Sequence, residues 1–254
     1  MALVLMFVAM GCTTTPESKI ITIENGQFMR NGQPYYFVGT NFWYGAILGS
    51  EGEGGNRERL AKELDFMKAH GIDNLRVLIG GEGENGLLGK IEPNLQPKPG
   101  EYNDEVLAGL DYLLMELGKR DMTAVLYFNN AWEWSGGYTQ YVAWANNEPV
   151  LVPRVDGWFS YNTFAGEFVR NERAKELFYN HVRYIVTRTN RYTGIKYIDD
   201  PAIFSWQISN EPRAFSSKEV NNQEAFAEWI ETSAKLIREL DPNHMISTGS
   251  EGFY

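Results

Sequence analysis

Two rhythms of apolar positions alternate along this chain. Short unbroken apolar runs suit strands buried on both faces, and stretches with an apolar residue at every third or fourth position suit amphipathic helices. Residues 35–41 read as a first buried strand. Residues 56–70 read as a helix with Leu60, Leu64 and Met67 on one face, Asn56 as its cap and Gly71 as its stop. A second buried strand covers 75–79. A second helix covers 103–117, carried by Val106, Leu110, Leu113 and Leu117 and ended by Gly118. A third strand (123–128), a third helix (172–191), a fourth strand (203–209) and a fourth helix (223–240) follow. Phe226, Ile230, Ala234 and Ile237 face inward on the last helix, Asp241-Pro242 breaks it, and residues 244–248 begin a fifth strand. Ahead of this series, Asn25-Gly26 and Asn31-Gly32 suit tight turns, and residues 20–30 read as a small hairpin.

Buried strands alternating with amphipathic helices make a parallel sheet covered by helices, closed either as a doubly wound sheet or as a barrel. No Gly-x-Gly-x-x-Gly turn follows the first strand, which weakens a dinucleotide-binding sheet. The unusual residues cluster after the strand ends, where a (β/α)8 barrel carries its chemistry: Asn41-Phe42-Trp43-Tyr44, the run from Asn129 to Trp134, and Asn210-Glu211-Pro212-Arg213. The expected fold is therefore α/β, a TIM (β/α)8 barrel. The chain accounts for a hairpin, four βα units and a fifth strand, so an incomplete barrel over 20–254. Two loops, 80–102 and 129–171, are long enough to be walls or lids.

Composition narrows the function. With 43% hydrophobic residues and a net charge of -10, the chain is globular and carries no basic stretch to track a phosphate backbone, which argues against nucleic acid. The apolar run 1–10 is too short to span a bilayer and resembles an export signal without its positive start. Cys12 is the only cysteine, so no disulfide forms within the chain; placed where the apolar run gives way to a polar tether, it resembles a bacterial lipidation site. Residues 1–19 are accordingly expected to be an export segment and tether. The protein would be extracellular, or anchored at the outer membrane of a bacterium by lipid alone.

Glu211 directly follows a buried strand, at the catalytic rim of a barrel, and is the candidate proton-transferring acid. Asn210 can bond a sugar hydroxyl beside the scissile bond, Pro212 fixes the following backbone, and Arg213 offers a planar fork of donors. Arg76 lies in the second strand, where a charge needs a partner; it is expected to point into the barrel mouth and meet a carboxylate. Trp43, Trp132, Trp134 and Trp158 lie in or near the rim loops as candidate sugar platforms. The acidic stretches at 51–53 and 82–84 read as solvated loop faces. The three His are scattered, with His70 and His244 at the opposite end, and nothing has metal-ligand spacing.

Asn210-Glu211-Pro212 after the fourth strand, with Arg76 on the second, resembles glycoside hydrolase family 5. Val38-Gly39-Thr40-Asn41-Phe42-Trp43, the run from Asn129 to Trp134 with Gly136-Gly137, the run from Thr189 to Gly194, and the run from Ser247 to Phe253 look like its mannanase subfamily. The resemblance implies endo-acting, retaining hydrolysis of β-1,4-mannosidic bonds in mannan, glucomannan or galactomannan, without a cofactor, by an enzyme that is monomeric when complete. It implies Glu211 as acid/base, with Asn210 and Arg76 beside it. Asn41, Trp43, Asn129, Trp132, Trp134, Arg213 and Glu251 then contact sugar or shape the site. The family's nucleophile is a Glu on a seventh strand, which the five strands read here do not include. The chain by itself is therefore expected to be inactive and to aggregate. A β-1,4-glucanase of the same fold and a non-catalytic carbohydrate-binding protein are the alternatives.

Overall fold

The computed structural model describes residues 20–252. A small antiparallel sheet comes first: β1 (Thr22–Glu24), β2 (Gln27–Arg30) and β3 (Gln33–Pro34). Both of its turns are the Asn-Gly pairs. Asn25 and Gly26 have φ of 51° and 78°, and Asn31 and Gly32 have 52° and 70°, the double positive φ of a tight hairpin turn. The second pair adds a third strand to the hairpin that the sequence predicts.

The main sheet is parallel and runs in sequence order through β4 (Gly39–Asn41), β5 (Asn74–Leu78), β6 (Thr123–Tyr127), β7 (Ile203–Gln207) and β8 (Met245–Ser247). Its connections carry α1 (Gly45–Leu48), α2 (Arg57–Ala69), α3 (Asp104–Lys119), α4 (Gly137–Asn146), α5 (Pro153–Asp156), α6 (Trp158–Ala165), α7 (Glu172–Val186) and α8 (Gln223–Leu240). Five successive parallel strands with helical crossovers are a partial (β/α)8 barrel. Asn56 caps α2 by accepting from the Arg59 N–H, as its sequence position predicts.

Four elements differ from the sequence reading. The apolar run at 35–41 is not a strand buried on both faces. β4 begins only at Gly39, and Tyr36 is 75% exposed, because β4 is an edge of the sheet and the chain before it turns back to β2, where the Tyr35 N–H donates to the Phe28 carbonyl at 2.7 Å. α3 passes through Gly118 to Lys119, and the left-handed residue beyond it is Asp121, at φ 55°. α7 stops at Val186 instead of reaching Arg191. The residues after it turn to serve the buried Asp111, whose carboxylate takes Arg188 at 2.9 and 2.6 Å and the Tyr197 hydroxyl at 2.6 Å. On α8 Ile237 is fully buried as the sequence predicts, but so is Trp229, ringed by Tyr138, Phe168 and Phe178, while Phe226, Ile230 and Ala234 are only partly buried against the core.

The connection 129–171 is a packed wall, with Tyr138, Tyr141, Tyr161 and Phe168 fully buried. Such a wall holds the rim of the sheet rigid where a bare loop would not. Among the described residues no helix is long and apolar enough to cross a membrane. Cys12 and the export segment lie outside the described residues.

Candidate active site

The site grows out of the β6–β7 ladder. Beyond the strand ends, the Asn210 N–H donates to the Asn129 carbonyl at 2.7 Å and the Ala131 N–H to the Asn210 carbonyl at 3.0 Å, so the two loops stay registered up to the rim. Glu211 then adopts φ 49°, a left-handed conformation that a residue with a Cβ rarely takes. Its N–H is held by the Gly249 carbonyl at 3.0 Å, and Pro212 restricts the backbone on its C-terminal side. A strained backbone at a rim carboxylate is a common mark of a functional position.

The Glu211 carboxylate is half-buried, and its Oε2 accepts the Trp132 indole N–H at 2.6 Å. Arg213 lies on the same indole, its guanidinium carbon 4.8 Å from the ring centroid, and it ion-pairs with Glu251. Trp158 meets Trp132 edge-on at 6.1 Å and is 57% exposed. Trp132 is thus the common contact of acid, arginine and outer aromatic.

Below Glu211 runs a line of amides. Asn130 Oδ1 accepts from Asn210 Nδ2 at 3.0 Å, and Asn210 Oδ1 accepts from Arg76 Nη2 at 3.0 Å. Arg76 Nε donates to Gln207 Oε1 at 2.7 Å, and the guanidinium lies over Tyr127 at 4.1 Å. Among the described residues Arg76 therefore meets two amides and a ring in place of the carboxylate that the sequence predicts. Burial lowers its pKa, while Tyr127 and the Glu211 charge act the other way.

The remaining predicted residues fall into three places. Trp43 and Trp134 pack on each other edge-on at 5.6 Å. Asn41 is exposed at the sheet edge, paired in register with Arg76, and borders a cleft of about 610 Å³ against α2. Asn129 is fully buried under the rim, its Oδ1 accepting the Asn130 N–H at 2.7 Å, so it supports the floor and does not reach the cleft.

Asn130, Gln207 and Tyr127 are not singled out by sequence, although Ser205 and Gln207 carried a signal: polar side chains at alternate positions in an otherwise apolar strand. Glu82 overturns the solvated reading of 82–84. It is buried, and burial pushes its carboxyl up to about 7, against the backbone N–H groups of Gly137 and Gly81, the Lys90 charge and the Tyr141 hydroxyl. Among the described residues no cluster of three or more His, Cys, Asp and Glu is placed to hold a metal ion.

Comparison with known proteins identifies the family of the chain. A family model described as GH family 5 beta-mannosidase-like matches residues 18–254. Mannan endo-1,4-beta-mannosidase 1 of Solanum lycopersicum is 31% identical over 99% of the chain, and putative mannan endo-1,4-beta-mannosidase 4 of Arabidopsis thaliana is 29% identical over all of it. The chain spans 57% of the length of each. A glycoside hydrolase family 5 mannosidase from Rhizomucor miehei superposes with a TM-score of 0.84 at 36% identity, covering 94% of this chain and 58% of that one. The endo-1,4-beta-mannanase of the same organism superposes at 0.70 with 25% identity, covering 92% and 62%. Relatives from these sources lend no support to a bacterial lipoprotein.

Proposed function

The chain belongs to glycoside hydrolase family 5, in its β-mannosidase-like branch, and from that premise we propose that it hydrolyses β-1,4-mannosidic bonds in mannan, glucomannan or galactomannan, cutting within the polysaccharide and retaining configuration. The observation that carries this reading is Glu211, held at a strand end by the Trp132 indole beside the Asn210–Arg76 amide line. Glu211 donates its proton to the glycosidic oxygen as the bond to the anomeric carbon breaks. The same group, then a carboxylate, takes a proton from the incoming water. Asn210 is placed to bond a hydroxyl next to that carbon, and Arg213, with Glu251 and Trp132, forms the wall for the neighbouring sugar.

A retaining displacement needs a second carboxyl group about 5–5.5 Å from the first. The resemblance assigns it to a Glu on a seventh strand, and the five strands described here do not include that strand. Glu251 is tied to Arg213 and takes the role of a sugar contact.

The test is parallel reducing-sugar release from mannan and from carboxymethyl cellulose by the intact protein. Mannan is the expected substrate, and Glu211→Gln lowers its turnover by about a thousandfold. Preference for the cellulose derivative, or full activity in Glu211→Gln, overturns the reading. A second reading, release of mannose from short oligosaccharides, draws on the higher similarity to the Rhizomucor miehei mannosidase than to its mannanase. Product size separates the two: endo cutting first yields a ladder of oligomers, and end-wise cutting yields a monomer. Export with acylation at Cys12 is a separate part of the proposal, supported by the apolar run before that residue; Cys12→Ser abolishes lipid labelling if it holds.

A further inference from the structure

The loop after β5 carries a buried carboxylate that the proposed chemistry does not use. Glu82 is 1% exposed, and three of its polar groups fasten one turn of the opposite wall. Its N–H donates to the Ser135 carbonyl at 2.9 Å, its Oε2 accepts the Gly137 N–H at 2.9 Å, and its Oε1 accepts the Tyr141 hydroxyl at 3.3 Å. Gly136 lies so close that a Cβ there would sit 2.3 Å from the Glu82 carbonyl oxygen. The same loop adds the Ile91 N–H to the Trp134 carbonyl at 2.8 Å and Lys90 Nζ to Gln140 Oε1 at 2.7 Å.

That turn is also one end of a hydrogen-bond line to Glu211. Ser135 Oγ accepts from Asn130 Nδ2 at 3.0 Å. Asn130 Oδ1 accepts both the Trp132 N–H, at 3.1 Å, and Asn210 Nδ2, at 3.0 Å. The Trp132 indole then donates to Glu211 at 2.6 Å. Every link from Glu82 to the candidate acid is a hydrogen bond or a covalent step through residues 130–137.

We propose that Glu82 is a positioning residue for Glu211: it fixes the turn at 135–137 and, through Ser135 and Asn130, sets where the Trp132 indole presents its N–H. The importance of that placement for hydrolysis rests on the reading of Glu211 as the acid; the placement itself does not. A carboxyl group suits the position in either protonation state. Ionised, it accepts from Tyr141. Protonated on Oε1, it donates to the Tyr141 oxygen, whose own proton then turns to Gln96 Oε1, 3.5 Å away. Glutamine can reproduce the second arrangement, while alanine leaves the buried Gly137 N–H unpaired and the Tyr141 hydroxyl with only the longer contact to Gln96. The charged and titratable groups that face the carboxyl are Lys90, Tyr102 and Tyr141, with Glu133 acting in turn on Lys90.

The indole N–H resonances of 15N-labelled protein test this directly, with Trp132 and Trp206 assigned through Trp132→Phe and Trp206→Phe. Trp206 gives its N–H to Asp241 at 2.6 Å, away from the rim, and serves as internal control. In Glu82→Ala the Trp132 resonance moves by more than its line width or broadens away, and the Trp206 resonance stays. Glu82→Gln leaves both in place. An unmoved Trp132 signal in folded Glu82→Ala, or a Glu82→Gln shift as large as that of Glu82→Ala, overturns the proposal. Should Glu82→Ala fail to fold, losing the Trp206 signal as well, Ser135→Ala decides: it removes one link only and must move Trp132 but not Trp206. On mannan, Glu82→Ala lowers kcat of the intact protein about tenfold with KM within about twofold, and Glu82→Gln restores it. A moved Trp132 signal in a protein that releases no sugar from mannan sinks the mannanase reading and leaves the clamp standing.

Discussion

Two indole–carboxylate pairs of the same length, 2.6 Å, lie in different parts of the parallel sheet: Trp206 with Asp241 in the interior ahead of β8, and Trp132 with Glu211 at the rim after β7. Their surroundings make them different devices. Asp241 is fully buried and saturated. Its Oδ2 also takes His244 Nδ1 at 2.7 Å, and its Oδ1 takes the N–H groups of Asn243 and His244 at 2.7 and 3.0 Å. Burial alone would push that carboxyl up, but the hydrogen bonds from His244 and Trp206 and the His244 charge outweigh it and hold it at about 2. Glu211 has the indole as its one side-chain donor among the described residues, remains half-exposed, and sits on a left-handed backbone. A saturated carboxylate ties elements together; one with spare capacity facing solvent can exchange a proton with a substrate.

The sharpest way to break this contrast is to neutralise each acid. Glu211→Gln is expected to cut mannan turnover of the intact protein about a thousandfold, roughly 4 kcal/mol of barrier, with Tm within about 2 °C. Asp241→Asn places an amide NH2 or a weaker acceptor against four donors and is expected to destabilise by about 3 kcal/mol in urea titrations. Equal stability losses in the two variants would erase the distinction.

The next effect is pH dependence at the interior pair. The Asp241 pKa is lowered on folding, so its stabilisation is complete above the unfolded value near 4 and is lost as pH falls through about 2. That amounts to about 2–3 kcal/mol of acid-labile stability, which Asp241→Asn removes from the acid limb. A smaller effect separates the indoles. Trp206→Phe leaves a buried carboxylate short of one donor and should lose about 2 kcal/mol of stability. Trp132→Phe should lose about 1 kcal/mol or less, while its kcat falls about tenfold. Chemical denaturation and steady-state kinetics on both variants read this out.

How much of this was legible in the sequence depends on how locally each feature is encoded. The Asn-Gly turns, the Asn56 cap and the bounds of α8 follow from short-range chemistry, and the structure has them in those places. Glu211 was visible because an acid at a buried strand's end is a local pattern. Asn129 and Asn130 were not separable: adjacent amides after a strand point in different directions, and only the ladder to Asn210 decides that Asn130 faces the site line. Glu82 read as solvated because its neighbours are Gly and Glu, and its burial is imposed by the wall at 135–141, more than fifty residues away. His244 pointed to no catalytic role, but its pairing with Asp241 depends on a loop closure that spacing alone does not show.

The smallest effect expected is a near absence of change, and it arises at the rim. Glu82, raised to about 7, favours its protonated form on folding, so its contribution to stability declines as pH rises from about 4.5 to about 7. His181, fully buried with Nε2 on the Ile79 carbonyl at 2.8 Å, is pushed by burial down to about 4 against that hydrogen bond. It folds neutral, so its contribution declines in the other direction, as pH falls from about 6.5 to about 4. Each slope amounts to about 3 kcal/mol, and over the shared window they oppose. The unmodified protein should therefore change by less than about 1 kcal/mol between pH 4.5 and 6.5. Glu82→Gln leaves His181 unopposed and should gain about 3 kcal/mol as pH rises across that window in urea titrations. Parallel profiles in the parent and Glu82→Gln, both rising by about 3 kcal/mol across the window, would mean that Glu82 stays ionised there, and the rim would then hold its carboxylates in the same way as the interior pair does.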